Sequence, residues 1–177
     1  MLLERLADVR SILSGLGRPV VDLLRPGLPS DVVTARLGTE TPEEVVQWFS
    51  WSDGVAYIAG QTQDEVAVIP GYSLPSLDEA VSLWPHFADV ELLAPHWVPL
   101  LVSGGGDFYA AAWGDATDLR IIDFLVDEGA EETFSSADQM LEVFVECYRR
   151  GAFFVDRTGM LAMIPDLCDE VQASIVR

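Results

Sequence analysis

Three consecutive glycines followed by an aspartate, residues 104–107, are the first residues of this chain whose spacing could serve chemistry. A glycine-rich loop binds phosphate when it opens a helix, and the nucleoside-triphosphate type also carries a lysine that reaches the phosphates. This chain contains no lysine, the FYAAAW segment after the glycines is typical of a strand, and Asp107 would repel phosphate. The glycines are therefore predicted to form a hairpin turn with positive φ angles.

Other catalytic or metal-binding patterns are absent from the sequence. His86 and His96 each stand alone beside proline and aromatic residues, no Cys/His spacing resembles a zinc site, and no Gly-x-Ser-x-Gly motif occurs. The acidic segment 126–132 lacks the alternating ligands of a calcium-binding loop. We expect no catalytic residue, no metal and no cofactor. An enzyme stays open as an alternative, and it predicts a deep pocket with clustered carboxylates near Asp53 and Asp107.

The charge balance limits the partners that this chain can bind. There are 29 acidic residues against 10 basic ones, all of them arginine, and the formal net charge is −19. Nucleic-acid binding needs phosphate neutralisation by cationic side chains, so DNA and RNA are not expected partners, and anionic membranes would also repel the chain. Basic proteins would be attracted. The alternative is that the acidity serves solubility alone.

The acids concentrate between residues 115 and 146, where ten acids face one base. Asp138, Glu142 and Glu146 follow each other at intervals of four on a predicted helix, so they stack along one side of it. This side is either a solvated face or a docking surface for a basic partner. Three tryptophans lie near predicted turns and are either core residues or interface anchors: Trp51, Trp97 and Trp113.

The hydrophobic pattern predicts helices around a block of strands, in one domain over residues 1–177. Helices are expected at 2–14, 30–38, 41–51, 74–84, 136–150 and 165–175, and strands at 55–59, 65–70, 97–103, 108–114 and 119–125. Thr41 and Glu44 have the spacing of a capping box. The predicted fold class is α+β, with a mixed, mainly antiparallel sheet flanked by helices.

The cysteines and the hydropathy of the chain bear on its cellular location. No stretch approaches about 18 uninterrupted apolar residues, and the start of the chain lacks a signal-peptide pattern. Cys147 and Cys168 are therefore expected to be reduced thiols in a cytoplasmic protein.

Four segments in this order resemble the SUKH superfamily, which includes immunity proteins of bacterial polymorphic toxin systems and fungal cell-wall synthesis regulators. The segments are LG at 37–38 with TPEEVVQWFSWSDG at 41–54, IPGYSLPSLDEAVSLW at 69–84, WVPLLVSGGGDFYAAAW at 97–113, and SSADQMLEVFVECYRRGAFFVDRTGML at 135–161. Asp53 stands where the family has asparagine. Residues 1–36 lie outside the resemblance and are expected to form an N-terminal helical extension.

The resemblance implies a SUKH-like binding scaffold without catalytic residues. The positions that match the family's signature turns become structural or binding candidates: Trp51, Asp53, Gly54, Trp97, Gly106 and Asp107. We expect an immunity-type protein that binds and neutralises a basic toxin domain. The alternative is a regulatory scaffold that binds a non-toxic host protein or peptide. The sequence gives no indication of the oligomeric state.

Overall fold

The computed structural model describes residues 1–176 and has an α+β fold. The described residues form seven α-helices: α1 (Leu2–Gly15), α2 (Val20–Leu23), α3 (Ser30–Leu37), α4 (Glu43–Trp51), α5 (Leu77–Ser82), α6 (Ala137–Arg149) and α7 (Pro165–Ile175). They form eight strands: β1 (Ala67–Ile69), β2 (Tyr72–Ser73), β3 (His96–Ser103), β4 (Phe108–Trp113), β5 (Leu119–Leu125), β6 (Gly129–Phe134), β7 (Phe153–Val155) and β8 (Leu161–Met163). Two short 3₁₀ segments, Trp84–His86 and Glu91–Leu93, lie between α5 and β3.

The main sheet is a six-stranded meander in which neighbours along the chain are neighbours in space, in the order β1-β2-β3-β4-β5-β6. Every pairing is antiparallel, so the sheet has none of the parallel pairs that a mixed sheet would contain. Strands β7 and β8 form a separate antiparallel hairpin. Because β6 pairs with β5 alone, it is an edge strand of the main sheet.

Apolar residues cover both faces of the sheet, since successive side chains of a strand point to opposite sides. In β4, Ala111 and Trp113 belong to the larger apolar cluster, which the helices cover, with Tyr109 packed against it. Phe108, Ala110 and Ala112 belong to a smaller cluster on the other face, beneath the 3₁₀ segments. The sheet is therefore enclosed between helices on one side and a short irregular layer on the other.

Helix α1 is part of the main core. Leu2, Leu6, Val9 and Leu13 lie on one face of the helix, and all four are buried in the larger cluster. The N-terminal helix therefore packs in the same core as the other helices.

The structure differs from the sequence predictions at four points. Residues 55–59 form a loop, in which Val55 makes a single isolated bridge with Leu24. The acidic loop expected at 126–132 is partly strand β6, and the β7–β8 hairpin was not predicted. Helix α4 begins at Glu43 without the expected capping box, because Thr41 donates its hydroxyl hydrogen to the Gly38 carbonyl.

No helix among residues 1–176 is both long and apolar enough to cross a membrane.

Candidate functional site

The glycine segment is a hairpin turn, as predicted, and it joins β3 to β4. Gly106 has a φ of 98°, a value that side chains other than glycine rarely adopt. The Ser103 hydroxyl oxygen accepts the N–H groups of Gly105 and Asp107 at 3.1 and 3.0 Å. The turn is thus closed by its own side chain and backbone.

Asp107 connects this turn to the next hairpin. Its Oδ1 accepts the backbone N–H of Val126 at 3.0 Å, and its Oδ2 accepts the Ser103 hydroxyl at 3.2 Å. Val126 lies at the tip of the β5–β6 hairpin, next to Gly106. The carboxylate therefore holds two hairpin tips together, a role that the sequence did not indicate.

Asp53 also makes structural contacts. Its Oδ1 accepts the N–H of Leu77, the first residue of α5, at 2.8 Å, and its Oδ2 lies 3.7 Å from Arg25. Gly54 follows with a φ of 78°, and a Cβ there would be 2.5 Å from the backbone nitrogen of Ser76. Trp51 is half-buried and packs against the larger apolar cluster. This segment ties the end of α4 to the start of α5.

Trp97 and Trp113 are core residues, and the prediction that they contact a partner is corrected. Their exposed fractions are 8% and 1%. Trp97 stacks on Phe108 in the smaller cluster, whereas Trp113 lies in the larger one. Little of either indole is therefore available to a partner.

The prediction that the acidic side of α6 is a docking surface is also corrected, because its first two acids face an arginine of α1. Arg5 lies 3.1 Å from Glu142 and 4.0 Å from Asp138, and all three side chains are partly buried. Glu146 is half-buried one turn further on. Asp138 and Glu142 therefore already have a cationic partner within the helical layer, whereas Glu146 has no ion pair among residues 1–176.

A group of uncompensated acids lies on the β5–β6 hairpin, residues 119–134, which we call the acidic hairpin. Four of its acids are exposed: Asp127, Glu128, Glu131 and Glu132. Seven arginines of the described chain pair with acids elsewhere, and none of them pairs with these four. Arg120, the hairpin's own arginine, pairs with Asp118 and donates to the Ala94 carbonyl. The hairpin therefore presents four negative charges without an ion-pair partner among residues 1–176.

An open cavity of about 460 Å³ lies beside this hairpin, and we call it the rim cavity. Its walls include Leu74, Phe87, Val102 and Phe108, on the side of the smaller apolar cluster. The loop of residues 55–66 closes another side. That loop contributes Tyr57, whose side chain is 83% exposed.

The rim cavity and the acidic hairpin share a border. Gly106 and Asp107 line the cavity, and a Cβ on Gly106 would be 3.2 Å from the Val126 side chain. Val126 is 56% exposed at the hairpin tip. Exposed apolar side chains and unpaired carboxylates therefore meet at this border, of which the sequence indicated only Gly106 and Asp107.

Asp123 has a perturbed carboxyl group, and it lies on the opposite face of the sheet. Its pKa is raised to about 6, mainly by burial and also by the charges of Asp107, Glu131 and Glu128, while a hydrogen bond with Tyr109 acts in the opposite direction. Its Oδ1 is buried without a hydrogen-bond partner among the described residues. Tyr109 packs against Phe144 of α6, so this carboxyl faces the helices and not the rim cavity.

The carboxylates that the enzyme alternative would bring together are separate in the structure. Asp107 lines the rim cavity, whereas Asp53 lines a different one with Arg36 and Asp78. No group of three or more histidine, cysteine or acidic side chains within residues 1–176 has the geometry to hold a metal ion.

Comparison with known proteins gives no relative, since neither a protein-family model nor a curated protein matches this chain.

Proposed function

We propose that this protein is a non-enzymatic binding module that covers a cationic surface of a basic protein partner. The observation that carries the proposal is the group of four unpaired carboxylates on the acidic hairpin, whose tip borders an open cavity with apolar walls. Most interfaces combine such an apolar centre with a charged border.

The two parts of this surface have different physical effects. Unpaired charges at the edge of an interface increase the association rate with an oppositely charged partner, by about tenfold to a thousandfold at low salt. Apolar contact in a cavity slows dissociation. The Asp107 carboxylate links the two parts, because it lines the cavity and also holds the hairpin tip through Val126.

The partner is proposed from the resemblance to the SUKH superfamily. On that basis it is a toxin domain, and binding blocks the cationic surface that the toxin needs for its own substrate. A toxin that acts on nucleic acid would present such a surface, because it must neutralise phosphates. The acidic hairpin would then occupy the place of the polyanion.

Co-expression with the toxin-like product of the neighbouring gene tests this proposal. The proposal predicts that the two proteins co-purify and that this chain restores growth to cells that express the toxin. A variant with Asp127→Asn, Glu128→Gln, Glu131→Gln and Glu132→Gln should restore growth less well. If the neighbouring product neither binds nor is neutralised, the proposal is wrong.

A further inference from the structure

We infer that the rim cavity takes an arginine side chain of the basic partner, an inference that rests on the proposed function. Sixteen residues line the cavity, and two of them, Glu79 and Asp107, are acidic whereas none is basic. The remaining lining is mainly apolar. An occupant that complements this surface needs a cationic end and an apolar stem.

The two carboxylates have spare acceptor positions. Glu79 Oε2 accepts the Ser76 N–H at 2.8 Å, while Asp107 accepts one backbone N–H and one hydroxyl. All these donors are neutral, and no arginine within residues 1–176 lies within 4.0 Å of either carboxylate. Each carboxylate group has about four lone-pair sites, so both can accept further hydrogen bonds from a cation.

The lining of the rim cavity argues against a leucine, phenylalanine or lysine side chain as its occupant. A leucine or phenylalanine in the cavity would remove the two carboxylates from water and give them no partner, which is costly. An arginine can lay its methylene groups along Leu74 and Val102 and direct its planar guanidinium to the carboxylates. Lysine is less suitable, because its ammonium is more strongly hydrated and does not stack on a ring such as that of Tyr57.

A neighbouring cavity provides an internal control. It has a volume of about 330 Å³ and shares Phe87 with the rim cavity. Its walls include Trp84, Trp97 and His96, and its lining contains no acidic residue. If apolar surface alone attracted an arginine side chain, both cavities would bind it.

The experiment is an NMR titration of the ¹⁵N-labelled protein with Nα-acetylarginine methylamide. The same titration with the citrulline analogue, which has nearly the same shape and no charge, is the control probe. We expect saturable changes in the amide chemical shifts of the rim-cavity residues, and no changes confined to the neighbouring cavity. The affinity should be about tenfold higher for the arginine probe than for the citrulline probe.

Two variants remove charge while they keep the hydrogen bonds that these side chains accept from backbone N–H groups. Glu79→Gln preserves the capping box of α5, since glutamine serves equally at this position, and Asp107→Asn keeps a carbonyl oxygen for the Val126 N–H. Each should weaken the arginine probe about tenfold and leave the citrulline probe nearly unchanged. Equal binding of the two probes, shifts outside the rim cavity, or unchanged affinity in both variants would overturn the inference.

The experiments distinguish a failure of this inference from a failure of the proposed function. If the partner protein still binds through the acidic hairpin but the arginine probe does not enter the cavity, the inference alone fails. If the neighbouring gene product does not bind at all while the arginine probe still does, the proposed function fails and the cavity remains an arginine site.

Discussion

Replacement of Arg18 by methionine is predicted to destabilise the protein strongly. Arg18 pairs with Asp64 at 2.7 Å, and their side chains are 4% and 19% exposed. Arg18 also donates to the carbonyls of Gly159 and Asp64. The second oxygen of Asp64 accepts the N–H of Leu161 at 2.7 Å. One ion pair thus connects the segment after α1, the loop that forms a wall of the rim cavity, and the β7–β8 hairpin.

The expected loss follows from what the substitution leaves behind. Methionine fills much of the volume of the arginine stem but leaves a mostly buried carboxylate without its cation, which costs about 3–5 kcal/mol. Arg149→Met is the matched control, because Arg149 pairs with Asp8 at 3.2 Å while both side chains are about half exposed. Such surface pairs contribute about 0–1 kcal/mol.

Urea unfolding at pH 7, followed by tryptophan fluorescence, measures both free energies of unfolding. Where Arg18→Met does not fold, the milder Asp64→Asn variant replaces it, since asparagine keeps a carbonyl acceptor for Arg18 or Leu161 and should still lose more than the control. Equal losses for the buried and the exposed pair would refute the reasoning, because burial is the only difference on which the prediction depends.

Three further predictions concern single residues. Glu44→Ala should lower the free energy of unfolding in urea by about 1–2 kcal/mol, because Glu44 accepts the N–H groups of Ala137 and Asp138 at the start of α6 at 2.8 and 3.2 Å. Glu44→Gln keeps an acceptor and should lose less, and equal losses for the two variants would contradict the role of the hydrogen bonds. Gly54→Ala should lower the melting temperature markedly, whereas Gly15→Ala, where a Cβ would meet nothing within 4 Å, should not; similar melting temperatures would contradict the close approach. For Asp123, the folded pKa of about 6 lies above the unfolded value of about 3.9, so folding retains a proton that the unfolded chain releases, and stability should fall as pH rises from about 4 to about 6. Asp123→Asn should reduce this fall, and identical stability–pH curves for the variant and the natural chain would contradict the assignment.

Local sequence patterns predicted the elements well where one segment carried the whole signal. The spacing of Leu141, Phe144, Val145 and Tyr148 predicted α6, and all four side chains are buried. The FYAAAW segment after the glycines forms β4, because a continuous run of apolar and aromatic residues suits a strand that is covered on both faces.

The segments that the sequence predicted wrongly depend on pairing between strands. Residues 55–59 have high β propensity but lack a partner strand, so they form a loop that places Tyr57 at the rim cavity. Strand β6 has the opposite character, since its glycine and glutamates are poor strand formers and pairing with β5 orders it.

The candidate site was also only partly predictable from local sequence patterns. The density of acids between 115 and 146 correctly drew attention to this part of the chain, but spacing alone could not show which acids have partners. Arg5, more than 130 positions away in sequence, faces the acids of α6, whereas the acids of the acidic hairpin face no arginine within residues 1–176. Glu44 likewise had the spacing of a local cap and instead caps a helix 93 residues further on.

The most direct test of the central claim is the association rate with the co-purifying basic partner, measured at several salt concentrations. The hairpin variant loses the charges of Asp127, Glu128, Glu131 and Glu132. A control variant loses four exposed acids from outside the acidic hairpin, with no ion pair or side-chain hydrogen bond among the described residues: Asp22, Asp31, Glu40 and Asp166.

Both variants therefore carry the same net charge. We predict that the hairpin variant associates at least about tenfold more slowly at low salt and with a weaker salt dependence, while the control stays close to the natural chain. Equal rates for the two variants would contradict the account, because net charge and not the acidic hairpin would then determine binding.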